Sequence, residues 1–223
     1  MGKNDKILEK LRLKSVTKQA VYRINKEVFK ELKECAKKIT KELSEEMANI
    51  DSNVEIKFTE KGDFEVIIQF SGDVLIFHMH TNTFTFDETH HIWKTSYVKE
   101  DSQRAYCGVI NVYNFLSDSF KFNRQNDLGF LIGRIFINKD RHFFTEGNGK
   151  LGHIYNNFQE SIIDENLLKE ILRELMLYAM DFELQTPAFK DVQVVSMHQI
   201  MEMSHNIQLK TAKKLGYRQY EKK

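Results

Sequence analysis

Four of the chain's eight histidines fall within residues 76–93, "IFHMHTNTFTFDETHHIW". Side chains alternate between the two faces of a strand. Val74, Ile76, His78 and His80 therefore share one face, and Leu75, Phe77 and Met79 the other. Two imidazoles two residues apart on one face suit chelation of a single metal ion. Asp87 and His90, with Glu88 and His91 beside them, follow closely enough to complete three or four N and O ligands for Zn²⁺, Fe²⁺ or Mn²⁺. The same pattern describes a half-buried sheet face with histidines at its wet end, and Val74 and Ile76 favour that reading.

A second stretch, "HFFTEGNGKLGH" at residues 142–153, carries glycines, a carboxylate and histidines. Gly147, Gly149 and Gly152 match G-x-G-x-x-G, but the dinucleotide fingerprint needs a βαβ unit and the preceding residues read as a hairpin. His142, Phe144, Glu146, Gly147, Asn148, Gly149 and Lys150 resemble the Fic-domain signature: His, any residue, Phe, any residue, Asp or Glu, Gly-Asn-Gly, then Arg or Lys. That resemblance implies transfer of AMP, or another phosphate-containing group, from a nucleotide to a protein hydroxyl. It implies His142 as general base and Glu146 holding Mg²⁺ on the phosphates. Backbone N–H groups of Gly147, Asn148 and Gly149 would cradle the diphosphate, with Lys150 as a point charge. It also implies an all-α surround, with the segment between two helices. Here Phe143 stands where the family has Pro, and His153 where it ends on Arg. Read from its residues alone, "EGNG" is a tight turn.

The remaining reactive residues point to structure. Cys107 lies in "AYCGV" with no base identifiable beside it, which describes a buried thiol. Cys35 and Cys107 are too few for a disulfide framework and read as reduced thiols. In "SFKFNRQND", Phe120 and Phe122 alternate with Lys121 and Arg124 and read as core aromatics rather than a base-stacking platform. Thirty-three Lys and Arg balance thirty-two Asp and Glu, which argues against nucleic acid as a partner. The amino terminus has no continuous apolar run, and Lys6 stands where a myristoylation motif needs Ser or Thr. No stretch approaches the roughly 20 apolar residues of a membrane span. A cytoplasmic protein that does not engage a membrane is expected.

The elements that must position these residues are legible from periodicity. Val21, Ile24, Val28, Leu32, Cys35, Ile39 and Leu43 recur at helical spacing and predict a helix over 16–48, preceded by a flexible lead over 1–15. About 45 Å of helix exceeds one small domain, so its stripe serves either a homodimer or the chain's own sheet. "NVEIKF", "DFEVIIQF" and "DVLIFHMH" alternate as strands, with a short hairpin turn at Gly62 and a second turn where Gly72 is free to take positive φ. "TFTFD" reads as a short fourth strand, and "RAYCGVINVYNFLSDSFKF" as either a strand and a helix or two strands. "FLIGRIFIN" and "HFFTE" form a hairpin, "DENLLKEILRELMLYAM" a helix capped by Asp164, "DVQVVS" a strand and "MHQIMEMSH" a helix. A basic tail closes the chain over 210–223. This is an α+β fold: an antiparallel sheet of meander and hairpins, packed by a long N-terminal helix and C-terminal helices, in one domain over 16–209. The functional expectation is a non-enzymatic regulatory or interaction domain that binds a small molecule or a protein. The alternatives are Fic-like transfer or metal chemistry at His78 and His80.

Overall fold

The computed structural model describes residues 2–147, 151–182, 186 and 188–206. Helix α1 (Lys3–Lys10) opens the chain, with the Asp5 carboxylate accepting the Gly2 N–H at 2.8 Å. A π-helical turn (Leu11–Ser15) joins it to α2 (Val16–Ala48). Within the lead expected over 1–15, residues 3–15 are helical: Ile7 and Leu11 lie one turn apart and no Gly or Pro interrupts the backbone ladder there. Strands β1 (Ile56–Lys61), β2 (Glu65–Phe70) and β3 (Asp73–Met79) follow, then α3 (Ser96–Glu100), β4 (Cys107–Leu116), α4 (Ser117–Lys121), β5 (Phe130–Asn138) and β6 (Phe143–Gly147). Helices α5 (Leu151–Ile154), α6 (Glu165–Met180), α7 (Phe189–Val192) and α8 (Met197–Asn206) complete the described chain.

All six strands form one antiparallel sheet in sequence order, the simplest product of short turns. Gly62 takes φ +66 between β1 and β2, but at the next turn the positive φ falls on Ser71 rather than Gly72. Two expected strands are absent. In "TFTFD" only Phe84 bridges, to Cys107, and "DVQVVS" gives the end of α7 and exposed coil.

One face of the sheet presents Val66, Ile68, Leu75, Phe77, Met79, Ile110, Val112, Ile135 and Ile137 to α2 and α6. The α2 stripe is spent on this contact: Val21, Val28 and Leu32 are fully buried, and Cys35 and Ile39 nearly so. Helix 16–48 therefore covers its own sheet. It packs tightly at Gly108, where a Cβ would lie 2.3 Å from the Asn25 side chain. Buried Asn25 donates to the Ile137 and Val21 carbonyls at 3.0 and 2.9 Å. Arg141, at φ 64 in the β5–β6 turn, pairs bidentately with Glu31 and fixes that hairpin to α2.

Among the described residues no helix packs against most of the opposite face. Residues 84–105 cover its β4–β6 end through Ile92, Val98 and Ala105, joined by Phe158 from beyond α5, over Cys107, Val109, Phe136 and Phe144. Trp93 Nε1 donates to the Phe86 carbonyl at 3.3 Å, and His90, Thr95 and Asp101 cap the three short helical turns of this aromatic plug. Among the described residues no helix is long and apolar enough to cross a membrane.

Candidate functional site

The strand pairings place a row of polar residues across the uncovered face. Glu65 faces His78, His78 faces Asn111, Asn111 faces Arg134, and Arg134 faces Glu146. At about 4.8 Å per strand the row spans roughly 19 Å. On one side it meets the aromatic plug; on the other, the Ile67, Ile76 and Tyr113 surface.

Where the row meets the plug lies a cavity of about 290 Å³, lined by His80, Phe84, Phe86, Val109, Asn111, Arg134, Phe136 and Glu146. Phe136 and Phe144 stack at 4.9 Å beneath it, and Phe86 meets Phe136 edge-on at 5.1 Å. At the rim, Arg134 Nη2 donates to Glu146 Oε2, and the guanidinium lies 5.3 Å from the Phe136 ring centre. His90 stacks on Phe86 at 4.5 Å and brings Nε2 to 3.7 Å from Glu146 Oε1. Burial, and then the neighbouring His90, hold His91 below its usual 6.5. The arrangement joins an apolar floor to a neutral pair of opposite charges, so it can orient a small molecule without burying a lone charge.

The candidate metal ligands are not brought to one point. His78 stands in the polar row, and His80 Nδ1 accepts the Asn82 N–H at 3.0 Å. The Asp87 carboxylate turns to the Thr89 N–H at 2.9 Å, while His90 lies on Phe86. Among the described residues no three His, Cys, Asp or Glu converge as a metal site. Local turn geometry disperses them: Asp87 and His80 cap their own backbone.

The segment that resembles the Fic signature is a strand as far as Gly147, not a loop between two helices; Asn148, Gly149 and Lys150 lie outside the described residues. His142, just before β6, and Glu146 share a face but stand four residues apart along extended chain, roughly 13 Å. Phe144 fills the space between them. His142 stacks on Tyr97 at 4.3 Å, with Nδ1 3.0 Å from the Phe158 carbonyl. Tyr97, pushed up to about 12 by burial, binds Asp140 and accepts from Asn138 at 3.0 Å each. His142 thus belongs to the plug and Glu146 to the cavity. Cys107 is fully buried, and burial pushes its thiol up.

Arg134 and Asn111 escaped the sequence reading. Each interrupts an apolar strand, Arg134 in "FLIGRIFIN" and Asn111 in "CGVINVYNF", and that interruption was the available signal. Their alignment with Glu146 depends on registers across three strands, which a single sequence does not display. The chain matches no protein-family model, no curated protein and no solved structure.

Proposed function

We propose that the protein is a non-enzymatic, cytoplasmic regulatory domain that binds a small molecule in the cavity of the uncovered sheet face. The carrying observation is the convergence of Arg134, Glu146, His80 and Asn111 on an aromatic floor. At about 290 Å³ the cavity falls just below the range of drug-sized sites, roughly 300–1,000 Å³, and suits a smaller ligand. Binding fits this site better than turnover, because its one carboxylate is already held as a salt by Arg134.

The regulatory element follows from what the cavity wall touches. Phe84 also lines a second, open cleft with Lys18, Gln19, Tyr22 and Thr81–Thr83. Thr83 donates to the Lys18 carbonyl at 3.3 Å, and Thr17 donates to Gln103 at 2.5 Å. A ligand that moves the wall therefore moves the start of α2, and with it residues 3–16.

That segment is the protein-binding element in this reading, and its partner is a second copy of the chain. Ile7, Leu8, Leu11 and Val16 are 50–64% exposed along it. Residues 3–16 hold five Lys and Arg against two Asp and Glu, a net +3, whereas residues 17–209 hold 22 against 29, a net −7. A basic apolar helix and an acidic body complement each other across a two-fold interface.

Thermal unfolding with a panel of small aromatic, acidic, basic and zwitterionic compounds tests the binding reading. A compound at 100 times its dissociation constant adds about 2.7 kcal/mol, at roughly 2–4 °C per kcal/mol for a chain of this size. Asn111→Trp, which fills the cavity, abolishes that shift. An undiminished shift in Asn111→Trp, or no shift with any compound, overturns the reading.

A further inference from the structure

We propose that the ligand is a zwitterion of amino-acid size with an apolar, preferably aromatic, side chain. This rests on the reading of the cavity as a binding site. The specificity comes from the Arg134–Glu146 pair at the rim. A carboxylate ligand alone would compete with Glu146 for Arg134 and meet the Glu146 charge. An amine alone would meet the same conflict with Arg134. A zwitterion presents each charge to its opposite: its carboxylate to the guanidinium, its ammonium to the carboxylate.

The donor inventory permits this without breaking the pair. Guanidinium has five N–H donors in a fork that suits carboxylates, and a carboxylate has about four acceptor sites. Among the described residues, Arg134 places Nη2 on Glu146 Oε2, and His90 stands 3.7 Å from the other oxygen. Asn111, the cross-strand neighbour of Arg134, supplies both an amide donor and an acceptor at the same rim. The net charge of the bound site stays zero, which a half-enclosed, aromatic-floored cavity requires.

The side chain then lies over Val109, Phe136, Phe84 and Phe86. Offset or edge-on contact with three phenylalanines favours an aromatic ring over an aliphatic chain of equal size. A volume of about 290 Å³ accommodates one amino acid of this kind.

The test uses the full chain, calorimetric titration and four probes: L-phenylalanine, N-acetylphenylalanine, phenylalaninamide and N-acetylphenylalaninamide. Phenylalanine is expected to bind best, with each singly blocked compound weaker by about ten-fold or more. Glu146→Gln is expected to erase the preference for a free ammonium, and Arg134→Gln the preference for a free carboxylate. Both side chains are partly exposed, at 33% and 45%, so the folded state tolerates either change. Equal affinity for all four probes overturns the zwitterion assignment and leaves the cavity reading intact. Binding of none of the four, together with no shift from the wider panel, overturns both.

Discussion

Arg134, Glu146 and His90 meet although they stand on two strands and a loop, and none needs the others for its local conformation. Exposed ion pairs contribute about 0–1 kcal/mol, so this one adds little to stability. His91, beside it, gives the residue-scale pH dependence. Its folded value is depressed by burial and by His90, so the unfolded chain takes up the proton first as pH falls below 6.5. That share of stability is complete above pH 6.5 and is lost as pH falls through the lower folded value. Denaturation midpoints measured between pH 7.5 and 5 are expected to fall less in His91→Gln than in the wild-type protein. Equal slopes would show that His91 contributes nothing. Much at this scale was legible beforehand: alternation placed His78 and His80 opposite Leu75, Phe77 and Met79, as the structure has it. It did not place His78 beside Asn111, because cross-strand partners are fixed by register and not by local pattern.

At the scale of elements, α2 was the most legible feature, with bounds of Val16–Ala48, because many turns of apolar stripe leave a single reading. The same stripe did not reveal its own partner; only packing shows that it lies on the sheet. Short segments failed where tertiary contact outweighed propensity. "TFTFD" lost its strand because Phe86 turns into the plug, and "DVQVVS" pairs with no strand among the described residues. The ambiguous "RAYCGVINVYNFLSDSFKF" proved to be a strand followed by a helix, β4 and α4. The joint between α2 and the sheet yields a sharp prediction. Gly108→Ala forces a methyl group against Asn25, whose hydrogen bonds to Val21 and Ile137 hold it in place. Overpacking of this kind costs about 1–3 kcal/mol. Urea denaturation should show that loss, whereas Gly72→Ala, with open space around its Cβ, should show far less. Equal effects would mean that the close approach does not constrain the helix.

For the whole molecule, charge is sorted by region although the total is only +1. An acidic body with a basic, apolar amino-terminal helix is expected to self-associate through residues 3–16. Sedimentation should show a dimer at 0.05 M salt that weakens toward 1 M, where the screening length falls to about 3 Å. A chain beginning at Val16 should be monomeric at both salts, since no side chain of α1 or the π-turn is buried. A salt-independent dimer in the shortened chain would place the interface elsewhere.

The central claim is that the uncovered sheet face holds a ligand, and chemical-shift mapping of the full chain during titration with the small-molecule panel tests it most directly. The expected result is a saturable set of shifts on Phe84, Phe86, Val109, Asn111, Arg134, Phe136 and Glu146, spreading to Thr83 and Lys18. Shifts confined to the α2–α6 face, or none at these residues with any compound, would contradict it.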